Sequence, residues 1–322
     1  MNFAIICLIG ALASFALIAL LMPIYIRVLR NHKINQEVSE YALEEYKQKS
    51  KTPIMGGLLF VVLPLLVYTA IRGRFIHDSK TLLVVLSFVL FCIVGFADDI
   101  LIILRKDNNG LSPKVKLIME FVFTALLYVL FRDVIDTSIH VPFTKIYVDF
   151  KYLYIPFMIL LYLAEANAVN FTDGMDGLCA GVSVIGLIAF SVLAYLFAEY
   201  NIMLLLVCII GGLFGYLLYN HFPAKIFMGD SGSLALGGLF ASLGIVLKSE
   251  VALFFIGGVF VWEMFCVCLQ LSWVKLFHKR IFKYTPIHYA FVLGGMKEVK
   301  VVRMFYFIAF VLALVGFFIG IH

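Results

Sequence analysis

Long apolar runs separated by short polar stretches follow one another along the whole chain. A helix that crosses a bilayer needs about 20 mostly apolar residues. Runs of roughly that length predict an all-α integral membrane protein in which residues 1–322 form a single polytopic domain. We expect ten membrane spans, at 3–26, 54–71, 81–104, 115–131, 152–169, 178–198, 202–219, 233–248, 251–274 and 302–321.

The composition supports a membrane protein over a soluble one. Hydrophobic residues make up 63% of the chain and charged residues only 14%, whereas a soluble domain is about 45–50% apolar and about 25% charged. The first apolar run is long enough to span, and no basic residue precedes it. We therefore interpret it as a retained helix and not as a signal peptide.

The distribution of basic residues predicts the orientation. With ten spans both termini lie on one side, and if that side is outside, 18 of the 25 lysines and arginines fall in the cytoplasmic loops. Cytoplasmic loops carry an excess of Lys and Arg, so we expect both termini outside. The remaining seven lie in the outer loops: Arg72, Arg74, Lys80, Arg132, Lys145, Lys151 and Lys248. The outer segment 132–151 shows some alternation, which predicts a small hairpin.

Acidic residues interrupt the apolar pattern at the cytoplasmic ends of three predicted spans. They are Asp98, Asp99, Asp173, Asp176 and Asp230. Charges near membrane depth are rare unless they are paired, hydrated or functional, and Mg²⁺ prefers carboxylates, water and phosphate oxygens as ligands. These residues therefore predict a magnesium site at the cytoplasmic face. The structural alternative is that they end or cap helices.

Two further patterns suit a phosphorylated ligand. The segment Asn167–Gly177 combines two glycines with oxygen-bearing side chains, which is typical of a turn that holds a metal or a phosphate; a plain interhelical turn is the alternative. Basic residues follow Asp99 in a short loop and recur in the last loop, Lys275–Arg303. They suit anionic head groups or a nucleotide diphosphate, although positive-inside topology also accounts for Lys106, Lys114 and Lys116.

Five segments in order resemble the polyprenyl-phosphate N-acetylhexosamine-1-phosphate transferase superfamily. They cover nearly the whole chain: Lys49–Gly57, Gly95–Asp99, Gly110–Leu117, Asn167–Leu178 and Phe227–Gly238. The last loop, with Thr285-Pro286-Ile287-His288, is similar to that of the phospho-N-acetylmuramoyl-pentapeptide transferase (MraY) branch. That branch usually has three consecutive histidines, whereas Tyr289 and Ala290 follow His288 here.

The resemblance implies a role for each matching residue. It implies catalytic roles for Asp98, Asp99, Asp230 and His288, with Asp98 deprotonating or orienting the lipid phosphate. It implies Mg²⁺ as cofactor, held by Asp230 with Asp98 and Asp176. It implies that Phe227 stacks on uracil, and it implies further substrate contacts for Lys49, Lys106, Lys114, Asn170, Asp173, Gly174, Met175, Asp176, Asn220 and Gln270.

The resemblance also implies the reaction and its partners. Phospho-MurNAc-pentapeptide would pass from UDP-MurNAc-pentapeptide to undecaprenyl phosphate, giving lipid I and UMP at the bacterial inner membrane. A covalent intermediate on Asp98 remains an open alternative. Membrane lipids are expected partners and nucleic acid is not, and homodimers are common in the family. The ninth span is long and runs into residues 275–280, and we expect it to break or tilt and so form a groove for the lipid tail.

Two other functions fit parts of the pattern. A UDP-GlcNAc:polyprenyl-phosphate transferase would share the aspartate clusters but matches the last loop less well. A secondary transporter also has many spans and buried acids, but it places the acids near the midplane and often has inverted repeats. Here the acids gather at one face, which favours the transferase.

Overall fold

The computed structural model describes residues 2–32, 34–35, 52–73, 78–105 and 110–321. Lys49 and Lys106 lie outside the described residues. Within these ranges the regular secondary structure is helical apart from one small hairpin, as predicted. The helices are α1 (Phe3–Asn31), α2 (Gly57–Arg72), α3 (Ser79–Arg105), α4 (Pro113–Phe131), α5 (Tyr154–Thr172), α6 (Leu178–Leu196), α7 (Tyr200–Asn220), α8 (Asp230–Val246), α9 (Glu250–Ile256), α10 (Gly258–Phe277), α11 (Ile287–Leu293) and α12 (Glu298–Gly320).

Seven of the ten predicted spans meet a strict criterion of length and hydropathy. Among the described residues, seven helices are long and apolar enough to cross a membrane: α1, α3, α5, α6, α7, α10 and α12. Helices α2 and α8 are apolar but shorter, with 16 and 17 residues. Helix α4 carries Lys114, Lys116 and Glu120 within its first two turns. Each predicted span coincides with a helix, the ninth with α9 and α10 together, so ten crossings stay a prediction.

Helix α8 is the centre of the bundle, since every residue from Ser231 to Val246 is buried. A helix that is apolar on all sides is stable only where other helices surround it, and α8 packs mainly against α3 and α5. Glycines allow these close approaches: a side chain at Gly95 of α3 would overlap the backbone of Asp230, and one at Gly237 would overlap Ala166 of α5. Small residues at helix contacts serve the same purpose in other membrane proteins.

The bundle has two chemically different ends. The predicted hairpin is confirmed: β1 (Ser138–His140) pairs antiparallel with β2 (Tyr147–Asp149). It joins the end of α4 to the start of α5, and Lys248, after the end of α8, donates to the Asp136 carbonyl at 2.9 Å. Helix α8 begins at Asp230, so the hairpin and Asp230 lie at opposite ends of the bundle.

The predicted ninth span is broken at Gly257. This residue separates α9 from the long helix α10. Much of the outer face of α10 is apolar and exposed, including Leu271, Leu276 and Phe277. An apolar surface that other helices leave uncovered is available to lipid.

We predict that Gly95→Ala destabilises the protein. The new methyl group would overlap the backbone carbonyl of Asp230, so α3 and α8 would have to separate, at a cost of about 1–3 kcal/mol. The measurement is the thermal unfolding midpoint in detergent. Gly10→Ala is the matched control, because its methyl group would meet the end of the Cys208 side chain, which can move. Equal midpoints for the two variants would contradict the prediction.

Candidate active site

Asp230 is the first residue of α8 and joins three helices at one end of the bundle. Its Oδ1 accepts a hydrogen bond from Asn170 Nδ2 of α5 at 2.7 Å. Its Oδ2 accepts from the Lys116 ammonium group of α4 at 2.5 Å. Asn170 also donates to Ser233 one turn further along α8. The carboxylate is therefore held in place by one cation and one amide.

Asp98 of α3 lies beside Asp230. Its side chain is largely buried, and its Oδ1 accepts from the backbone N–H of Leu111 at 2.8 Å. Both Asp230 and Lys116 are close enough to interact with it electrostatically. The structure thus brings these two predicted site residues together, and Lys116 offsets part of their charge.

Asp99 has a different environment from its neighbour. It is only 2% exposed, and its two oxygens accept from the backbone N–H groups of Asp230 and Ser231, each at 3.0 Å. The first N–H groups of a helix have no partner within the helix, so Asp99 caps α8 from the neighbouring helix. Its role in this geometry is to position Asp230.

The oxygen atoms of Asp98 and Asp230 suit a hard divalent cation. Mg²⁺ is usually bound by one or two carboxylates together with water and substrate phosphates, so this pair fits it. Asp176 is engaged elsewhere, because its Oδ2 accepts from the N–H of Ala224 at 2.9 Å. Across the described residues, no three His, Cys, Asp or Glu side chains come together as a metal-binding group. The fit therefore rests on two carboxylates, and Asp176 as a third ligand stays a prediction.

The segment after α5 forms a tight turn next to this pair. Asn220 holds it: its Oδ1 accepts from Gly177 N at 3.1 Å, and its Nδ2 donates to Ile226 O at 2.9 Å. Gly177 has φ of 78°, a conformation that favours glycine. Burial, and then the carboxylates of Asp230, Asp99 and Asp176, raises the pKa of Asp173 to about 8.

Residues 52–57 line the other side of the site. The N–H of Phe227 donates to Pro53 O at 2.8 Å, and its carbonyl accepts from Gly56 N at 2.8 Å. The N–H of Gly57 donates to Met228 O at 2.9 Å. These backbone bonds hold the partly exposed Phe227 three residues before Asp230.

The last loop reaches the site through α11. The Tyr289 hydroxyl donates to the carbonyl of Gly174 at 2.8 Å, beside the buried Met175. His288 is fully buried, and its Nδ1 lies 3.1 Å from Glu263 of α10. His288 is therefore brought to the turn that contains Gly174, as the prediction of a site role requires.

Two predicted substrate residues have other surroundings. The oxygen of Gln270 accepts from the N–H groups of Ile281 and Phe282, and its nitrogen donates to Phe282 O. Gln270 therefore holds the loop that follows α10. Lys114 is exposed at the start of α4. Their contacts with substrate stay predictions.

The sequence did not single out three residues that the structure places here. Lys116 was grouped with its neighbours and not assigned to the site. Glu120 is fully buried four residues later and accepts from Asn167 Nδ2 at 2.9 Å. The spacing of these two was the available signal, because residues four apart share a helix face. No such spacing along one helix pointed to Glu263, because its partner His288 lies 25 residues away on another helix.

Comparison with known proteins gives consistent results. Residues 81–248 match the family model described as Glycosyl transferase family 4. The chain is 38% identical to the phospho-N-acetylmuramoyl-pentapeptide-transferase of Staphylococcus aureus (strain bovine RF122 / ET3-1), over 97% of this chain and 98% of that protein. It is 36% identical to the phospho-N-acetylmuramoyl-pentapeptide-transferase of Staphylococcus carnosus (strain TM300), with the same coverage.

We predict that Asp99→Ala lowers stability by about 1–3 kcal/mol, because two buried N–H groups of α8 would lose their acceptor. Thermal unfolding in detergent measures the effect. Ser112→Ala is the control, because Ser112 caps α4 at an exposed position through a 3.4 Å bond to Val115 N and its removal should cost less. A midpoint for Asp99→Ala equal to that of the unmodified protein would show that the cap contributes nothing.

Proposed function

The chain belongs to the phospho-N-acetylmuramoyl-pentapeptide-transferase family, and on that premise we propose the reaction it catalyses. Phospho-MurNAc-pentapeptide passes from UDP-MurNAc-pentapeptide to undecaprenyl phosphate, and the products are lipid I and UMP. One observation supports this proposal most directly. Four side chains meet at one end of the bundle: Asp98, Lys116, Asn170 and Asp230. As a step in peptidoglycan biosynthesis, the reaction would support cell shape and division.

The proposed chemistry is phosphoryl transfer between two anions. An oxygen of the lipid phosphate attacks the phosphorus that carries the sugar, and the bond from that phosphorus to UMP breaks. Positioning and charge stabilisation dominate catalysis of this kind. Asp98 orients the lipid phosphate or accepts its proton, and Lys116 offsets negative charge beside Asp230. We assign Asp99 the task of holding Asp230.

Magnesium is the proposed cofactor, held by Asp230 and Asp98. When bound, Mg²⁺ supplies charge neutralisation on the diphosphate of the nucleotide sugar. The oxygen-only donor pair supports this choice, and substrate phosphates and water would complete the coordination. Asn170 and Lys116 keep the Asp230 carboxylate oriented before substrate arrives.

The turn after α5 is the proposed nucleotide pocket. Oxygen atoms and backbone groups there come from the residues predicted for the UDP moiety: Asn170, Asp173, Gly174, Met175, Asp176 and Asn220. Phe227 offers a partly exposed ring for uracil, since stacking on aromatic rings is a common way to bind bases. The proposed phosphate contacts are Lys49, Lys106 and Lys114. Gln270 supports the loop that follows α10.

We propose that the lipid tail binds along the exposed apolar face of α10. Glu263 of the same helix contacts His288, so α10 runs from the site along the bundle surface. A polyprenyl chain could lie along this face while its phosphate reaches Asp98. Apolar faces on α1 and α12 are the proposed contacts of a homodimer.

We propose that the site faces the cytoplasm of a bacterial cell membrane, with both termini outside. The excess of Lys and Arg in the loops at the Asp230 end supports this orientation. Nucleotide sugars are made in the cytoplasm, so their site should open there. The hairpin of β1 and β2 would then lie on the outer side.

A transfer assay tests the reaction. Purified protein with undecaprenyl phosphate and Mg²⁺ is offered radiolabelled UDP-MurNAc-pentapeptide or UDP-GlcNAc in parallel. We expect lipid product from the first substrate only, and a loss of at least about a hundredfold in kcat for Asp230→Ala, comparable to removing one group that stabilises a transition state. Asp133→Ala, exposed on the opposite side of the bundle, should leave the rate unchanged. Product from UDP-GlcNAc alone would assign the sister activity, and no product from either would refute the proposal.

Chelation tests the cofactor. We expect EDTA to abolish transfer and added Mg²⁺ to restore it, with Ca²⁺ less effective because it prefers longer bonds and more ligands. The unfolding midpoint should stay nearly constant, since Lys116 and Asn170 already hold Asp230 without a metal. Undiminished transfer after exhaustive chelation would exclude a metal requirement.

A further inference from the structure

Glu263 of α10 and His288 of α11 form a buried pair outside the acidic cluster. Both side chains are fully buried. The Glu263 Oε2 accepts from the backbone N–H of Ile287 at 2.7 Å, and its Oε1 accepts from the N–H of His288 at 3.2 Å. Oε1 also lies 3.1 Å from Nδ1 of the His288 ring. One carboxylate thus fixes both the start of α11 and the ring that follows.

This contact determines which ring nitrogen carries a proton. Both oxygens of Glu263 accept from backbone N–H groups, so we assign Nδ1 of His288 as the donor to Oε1. The bond made by one ring nitrogen sets the state of the other, and this leaves Nε2 to face a different partner. The ring can therefore present Nε2 in one orientation.

Nε2 of His288 points at the proposed nucleotide pocket. A side chain at Gly174 would overlap Nε2, so the ring and the turn are in close approach. Within the part of the chain that the structure describes, Nε2 has no hydrogen-bond partner although it is buried. Buried polar atoms are almost always hydrogen-bonded, so an unpartnered nitrogen here indicates a ligand group.

The turn itself is fixed by the next residue along α11. The Tyr289 hydroxyl donates to Gly174 O at 2.8 Å, and its ring centroid lies 4.2 Å from that of His288. The Tyr289 hydroxyl therefore holds the turn at Gly174 beside the His288 ring. We therefore expect the hydrogen-bond partner of Nε2 to be a group of the ligand that binds at this turn.

We propose that Glu263 is a positioning residue for the transfer reaction. It acts through His288: it keeps the proton on Nδ1 and aims Nε2 at the phosphorylated nucleotide sugar held by the turn at Gly174. This inference rests on the proposed function, because that substrate is the probe that tests it. Glu263 itself does not touch the substrate.

A double-mutant cycle with Glu263→Gln and His288→Ala tests the proposal. Glutamine keeps the size of the side chain and one carbonyl oxygen, but its amide is a donor and opposes a proton on Nδ1. We expect Glu263→Gln to lower kcat/KM at least about tenfold, within the coupling of residues in contact. The double variant should match His288→Ala within about twofold, because without the ring there is nothing to position.

Glu250→Gln is the matched control. Glu250 is a buried carboxyl at the hairpin end, where it accepts from the Tyr154 hydroxyl at 2.6 Å. Its change removes the same charge from the interior without touching the proposed site, so kcat/KM should stay unchanged. If Glu263→Gln does not fold, Glu263→Asp replaces it in the cycle, since it keeps the carboxylate and shortens the side chain by one methylene group.

The outcomes separate this inference from the proposed function. An active unmodified protein in which the two single effects multiply would overturn the positioning role alone, because independent structural effects add in free energy. A Glu263→Gln variant with unchanged kcat/KM would also overturn it. An unmodified protein that makes no product from UDP-MurNAc-pentapeptide would refute the proposed function, and this inference would fall with it.

Discussion

The capping of α8 by Asp99 is the interaction on which the rest of the site depends. Helix α8 begins inside the bundle, where water cannot easily satisfy its first N–H groups, and unsatisfied backbone groups are costly in a membrane protein. Asp99 accepts from two of them, and so ties α3 to α8 at the point where Asp230 begins. Gly95, one turn earlier on α3, permits the close approach that this bond needs.

The site concentrates negative charge with little to balance it. Asp230 interacts electrostatically with both Asp98 and Asp173, and Asp173 also interacts with Asp99. Lys116 donates a hydrogen bond to Asp230. Such a group is unfavourable unless cations or protons are shared. Burial first, and then these neighbouring carboxylates, raises the pKa of Asp173. A site that receives two anionic substrates needs additional positive charge, which is the physical reason for placing Mg²⁺ in the proposed mechanism.

A second anchor lies across the turn at Gly174. Glu263 satisfies the first N–H groups of α11 just as Asp99 does for α8, again with a carboxylate from a neighbouring helix. The two anchors place Asp230 and His288 on either side of one short turn, and Asn220 and Tyr289 hold that turn. Each carboxylate both caps a helix and holds a side chain of the proposed site, so the proposed function would link stability to catalysis at these residues.

The sequence by itself determined the all-α membrane class, the hairpin and the family, because apolar runs and ordered motifs are properties of the chain. It also indicated that Asp98 and Asp230 lie together, since both fall at the predicted cytoplasmic ends of their spans. Only the tertiary structure showed that α8 is surrounded by protein. An apolar sequence is the same whether lipid or other helices cover the segment. The cap role of Asp99, the choice of Lys116 over Lys114 and the pairing of Glu263 with His288 also depended on the fold. Each of these follows from contacts between separate helices, and spacing along the chain does not specify which faces meet.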